Sequence, residues 1–83
     1  MVLITLNIES TTGSTGDKKY NDNEPAKAVK ISAMGQLHID PSTEGNFALL
    51  LDGNQLDESK TLKELGIPDG ATLRIAPLKT EVI

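Results

Sequence analysis

The stretch "LLLDGNQLDESKTLKELGIPDGATLRI", Leu49 to Ile75, leaves the chain the fewest ways to fold. A run of apolar residues, Phe47–Leu51, meets Asp52-Gly53, and Gln55 and Leu56 then turn back. Asp-Gly between two such runs is a strong hairpin signal, because the turn needs positive φ and glycine adopts it without steric cost. "ESKTLKELG" predicts a single helical turn with Leu62 and Leu65 inward and Gly66 as its stop. "PDG" turns again. "ATLRIA" predicts a last strand with Leu73 and Ile75 inward and Pro77 ending its ladder.

The rest of the chain supplies what this half needs for a core. Val2, Ile4, Leu6 and Ile8 alternate with Leu3, Thr5, Asn7 and Glu9, the period of a strand with one buried face. "STTGSTG" (Ser10–Gly16) predicts a polar turn, and "DKKYND" a second strand, apolar only at Tyr20, that forms a hairpin with the first. "NDNEPAKAVKISAMGQL" predicts a helix, with Asn23 as N-cap and Glu24 and Pro25 in its first turn. Ala26, Val29, Ala33 and Leu37 share one face of it. Pro41 ends the helical pattern, and "DPSTEGN" is expected to be a loop. The order is β-β-α-β-β-short helix-β, an α+β domain in which the helix crosses one face of the sheet and the last strand returns beside the first. The expected core is Ile4, Leu6, Val29, Ala33, Leu49, Leu56, Leu62, Ile67, Leu73 and Ile75.

Size and composition narrow the function classes. The 83 residues suffice for one domain, expected over 1–78, with 79–83 as a loose tail. Tyr20 and Phe47 are the only aromatics, so Leu, Ile and Val carry the packing. No cysteine means no disulfide, thiolate metal site or cysteine nucleophile. The net charge of −4, with one arginine and scattered lysines, argues against nucleic-acid binding. No apolar run approaches membrane-span length, and the N-terminus lacks a signal-peptide pattern, so a cytoplasmic location and a monomer are expected.

No motif calls for a metal or a cofactor. "DPSTEG" (Asp40–Gly45) resembles the front of a calcium loop, but Leu51 stands where the bidentate glutamate belongs. "GSTGDK" (Gly13–Lys18) lacks the spacing of a phosphate loop. His38, the single histidine, sits where helix C-terminal residues cap rather than catalyse. No nucleophile–base pair can be assembled, so no enzyme is expected.

From Ala48 to Leu78 the chain resembles ubiquitin without a gap. Leu49, Gly53, Gln55, Leu56, Thr61, Leu62, Ile67, Thr72 and Leu73 match identically. Asp57, Glu58, Lys60, Glu64 and Ile75 match conservatively. Ala26, Val29 and Ala33 fit the helix, and "IDP" (Ile39–Pro41) the segment after it. The resemblance implies the ubiquitin-like β-grasp fold, a mixed sheet curled around one helix. It also implies a partner-binding patch on the outer face of the sheet at Leu50, Arg74 and Ala76, with Ala48 and Asn54 at the rim. Strand alternation independently places Leu50 opposite Leu49 and Leu51, and Arg74 and Ala76 opposite Leu73 and Ile75. Conjugated relatives end in Gly-Gly, whereas Glu81 and Val82 stand at those positions and no two glycines are adjacent anywhere. The expected function is therefore non-covalent protein binding. The alternatives are a modifier or sulfur carrier of a bacterial conjugation-type operon with an altered tail, a small structural subunit of a larger complex, or an accessory protein of bacterial type VII secretion. The last is similar in "NEPAKAVK" and "GIPDGATLRI".

Overall fold

The computed structural model describes residues 2–78. The expected tail at 79–83, including Glu81 and Val82, lies outside the described residues. Five strands form one sheet: β1 (Leu3–Ser10), β2 (Gly13–Asn21), β3 (Phe47–Leu51), β4 (Asn54–Gln55) and β5 (Ala71–Pro77). Their order is β2-β1-β5-β3-β4. The β1–β5 pair is parallel and the other pairs are antiparallel. The helix α1 (Ala26–Gln36) covers the inner face. Ile4, Leu6, Ile8, Val29, Ala33, Met34, Leu49, Leu62, Ile67, Leu73 and Ile75 are buried together beneath it. Nine of the ten expected core residues are buried. Leu56 is half-buried, because β4 is a two-residue edge strand and Leu56 follows it at the rim while still packing on the core.

Four local expectations are corrected. Val2 is 57% exposed rather than part of the inward row. β5 joins β1 only from Leu6 onward, so the sheet at Val2 is two strands wide. The turn expected over Ser10–Gly16 is shorter, since β2 already begins at Gly13. The extra length is taken up by a bulge between the pairs Asn7–Asp17 and Glu9–Ser14. There Gly16 has φ 71° and the Ile8 amide donates to Thr15 Oγ1.

The helix start is the third correction. The residue flanking α1 is Pro25, and no side chain caps it, Asn23 included. The first two helical amides instead donate to carbonyls of the loop before the last helical turn: Ala26 N to Lys60 O at 2.9 Å and Lys27 N to Glu58 O at 3.1 Å. A distant segment thus satisfies donors that a local cap would otherwise take.

The C-terminal end of α1 is closed by a Schellman motif. Ile39 N donates to Met34 O at 2.8 Å and His38 N to Gly35 O at 3.3 Å, with His38 at φ 62°. Ile39 and Met34 both pack in the core cluster, the apolar contact that accompanies such caps. A left-handed residue with a Cβ is strained where glycine is not. His38→Gly should therefore raise stability by up to about 1 kcal/mol, read as a higher urea midpoint at unchanged m-value.

The segment expected to be a loop after the helix is instead a 3-10 helix, Pro41–Asn46. Asp40 caps it by accepting from the Ser42 amide at 3.0 Å, which holds the Asp40 carboxyl below its ordinary value. The expected single helical turn is closed by a capping box. Thr61 N donates to Glu64 Oε1 at 2.9 Å and Glu64 N to Thr61 Oγ1 at 3.1 Å. Asp69 then ties the "PDG" turn to β1 by accepting from the Thr5 amide at 2.6 Å.

Candidate functional site

The outer face of β3 and β5 is built by register. Leu49 pairs with Ile75 and both are buried, so the flanking pairs point the other way: Leu50 with Arg74, and Ala48 with Ala76. Four of the five expected patch residues are thereby brought together. Arg74 is exposed, Leu50 and Ala76 are half-buried, and Ala48 is only 4% exposed. Ala48 contributes little accessible surface and backs the patch rather than rimming it.

Asn54 does not join this group. Asp52 and Gly53 both take positive φ, 53° and 80°, and this turn pairs Leu51 with Asn54 and Leu50 with Gln55. Asn54 thus stands beside an inward-facing position, and Gln55 is the residue across from Leu50. Counting back from the Asp-Gly turn would have found this in the sequence, because a two-residue turn fixes the pairing of the residues on either side.

A second cluster escaped the sequence reading. Lys30 is only 2% exposed on the helix. Its Nζ donates to Glu44 O at 2.8 Å and Phe47 O at 2.9 Å, and pairs with Glu44 Oε2 at 3.1 Å and Glu58 Oε1 at 2.5 Å. Lys27 Nζ lies 3.5 Å from Glu44 Oε1. The Lys30 ammonium holds the Glu44 carboxyl below its ordinary value, chiefly by hydrogen bonding. Every proton of this ammonium has an acceptor, so the cluster is a clamp between α1, the 3-10 helix and the 57–60 loop, with no donor left over for a ligand. Its signal in the sequence was a lysine inside the apolar stripe Ala26, Val29, Lys30, Ala33, Met34, Leu37.

Other sites have little material. An open hollow of about 490 Å³ beside the end of β5 is lined by Thr43, Gly45, Asn46, Phe47, Pro77 and Leu78, none of which titrates in the acid–base range. Among the described residues no group of three or more His, Cys, Asp or Glu could hold a metal ion. Asp40 and Glu44, at the front of the calcium-like segment, are engaged in a helix cap and in the clamp. Gly13–Lys18 lies within β2, which runs on as strand to Asn21, so no helix starts directly after the segment. No described helix is long and apolar enough to cross a membrane.

No protein-family profile and no curated protein matches the chain. Solved structures do. The N-terminal ubiquitin-like domain of the protein 4931431F19Rik aligns over 98% of this chain and 80% of its own, with a TM-score of 0.73 at 17% identity. Ubiquitin of Caldiarchaeum subterraneum aligns over 98% of this chain and 100% of its own, with a TM-score of 0.71 at 18% identity. A chain from work on molecular mimicry of SUMO in DNA repair aligns over 92% of both, with a TM-score of 0.80 at 16% identity. Shape agrees across almost the whole chain while few residues do, so the likeness is one of architecture: this chain has the ubiquitin-like β-grasp fold.

Proposed function

We propose that the protein is a non-covalent docking module that binds protein partners through the outer face of β3 and β5. The observation that carries this reading is the pairing of Leu50 with Arg74. It sets an accessible leucine beside an exposed guanidinium on a face flanked by the small Ala48 and Ala76. Among the described residues the ion pairs lie at Lys27 and Lys30, so no carboxylate of the described chain holds Arg74. Arginine is enriched among interface hot spots, and the leucine beside it adds apolar area that a partner can cover.

Leu50→Ala should weaken partner binding by more than about 1 kcal/mol, the threshold for an interface anchor. Because Leu50 is half-buried, it should cost less than about 1 kcal/mol of stability, well short of a core leucine. Parallel pull-downs from native lysate with the wild type and a Leu50→Ala, Arg74→Glu variant provide the check. Equal recovery of the same proteins by both would remove this face from consideration. Within the reading, the "NEPAKAVK" and "GIPDGATLRI" segments favour a type VII secretion role over a modifier or sulfur carrier. Neighbouring genes discriminate the two: secretion ATPases for the first, activating enzymes and peptidases for the second.

A further inference from the structure

The outer face carries an ordered stripe that runs across the strands. Register places Gln55, Leu50, Arg74, Glu9 and Ser14 side by side on β4, β3, β5, β1 and β2. All share the outer face, because the neighbouring pair Ile8–Leu73 is buried on the inner one. The middle of the stripe therefore reads apolar, cationic, anionic. Asp17 sits on the same face one register step from Glu9, across from Asn7, and adds a second carboxylate at that end. Glu9 and Arg74 lie on adjacent strands but form no ion pair among those of the described residues. Both charges are thus open to an outside partner.

Spacing selects the shape of that partner. Adjacent strands are about 4.8 Å apart, so Leu50 and Glu9 are separated by two steps, about 10 Å. On an α-helix, residues i and i+7 share a face and are also about 10 Å apart, with i+3 or i+4 between them. An extended strand repeats a face about every 6.8 Å and overshoots the second position. We infer, building on the docking role proposed above, that this face selects a partner helix presenting an apolar residue, a carboxylate and a cation at successive turns. The apolar residue seats on Leu50, the carboxylate pairs with Arg74, and Glu9 selects the lysine or arginine.

A displayed library of a helical peptide randomised at i, i+4 and i+7 tests this with the intact chain as bait. The wild type should enrich an apolar residue, Asp or Glu, and Lys or Arg, in that order or its reverse. Glu9→Lys should switch the third position to Asp or Glu, and should weaken the wild-type winner about fivefold, the scale of one exposed charge pair. Leu50→Ala should abolish the enrichment. If Leu50→Ala loses the winners but Glu9→Lys selects the same third residue, the charge order is wrong while the docking face stands. If the winners bind Leu50→Ala as well as wild type, the face itself is wrong. If no helix is enriched, the helical partner is overturned, and the lysate comparison still decides the docking reading.

Discussion

Lys30→Ala is expected to cost roughly 3–5 kcal/mol, the scale for removing one partner of a buried ion pair. On a domain of this size that approaches the whole stability, commonly about 5–15 kcal/mol. The loss has two sources. Truncation empties the volume of a side chain that is 2% exposed. It also leaves the Glu44 and Phe47 carbonyls and the Glu58 carboxylate without their donor. Lys30→Met separates the sources, because it refills the volume but not the bonds, and it should lose less than Lys30→Ala. Urea denaturation of the three proteins measures this. A Lys30→Ala loss under about 1 kcal/mol would mean that the clamp does not hold the helix to the loops. Acid titration gives a second readout. Glu44 titrates below its ordinary value in the folded chain because Lys30 donates to it. Stability from this pair is present above the unfolded value and is lost as pH falls through the lower folded one. Lys30→Met should therefore show a shallower acid loss than the wild type.

Leu73→Ala is expected to cost roughly 2–5 kcal/mol, the range for emptying a core leucine. Leu73 is completely buried, paired with Ile8 on the parallel strand, and shares one core cluster with Leu49, Ile75 and the buried residues of α1. β5 is also the central strand, so a void there weakens its packing with both β1 and β3. The contrast with Leu50→Ala on the opposite face is the informative measurement. The core variant should lose stability and binding together, while the face variant should lose mainly binding. A Leu73→Ala protein as stable as Leu50→Ala would contradict the assignment of inner and outer faces.

The sequence determined the fold through signals that act over a few residues. Alternation made β1 a one-faced strand. The apolar positions at 26, 29, 33 and 37 set the buried side of α1. Asp52-Gly53 set the hairpin, and Thr61 with Glu64 set a capped turn. Each depends on neighbours within about one helical turn or one strand pair, so each was legible before any contact was known. The outward placement of Leu50, Arg74 and Ala76 followed from the same alternation.

Tertiary structure alone decided what rests on groups far apart in the chain. The helix begins at Ala26 rather than after Asn23 because Glu58 and Lys60, from beyond the next two strands, supply carbonyls to its first amides. Lys30 is buried because Glu44, Phe47 and Glu58 converge on its ammonium. A lysine in water keeps its hydration and has no such partners, so no local pattern announces the exchange. The stripe from Leu50 through Arg74 to Glu9 exists only because residues from the two ends of the chain pair in one sheet. Strand registers place them side by side, and that placement is a property of the assembled sheet, not of any segment.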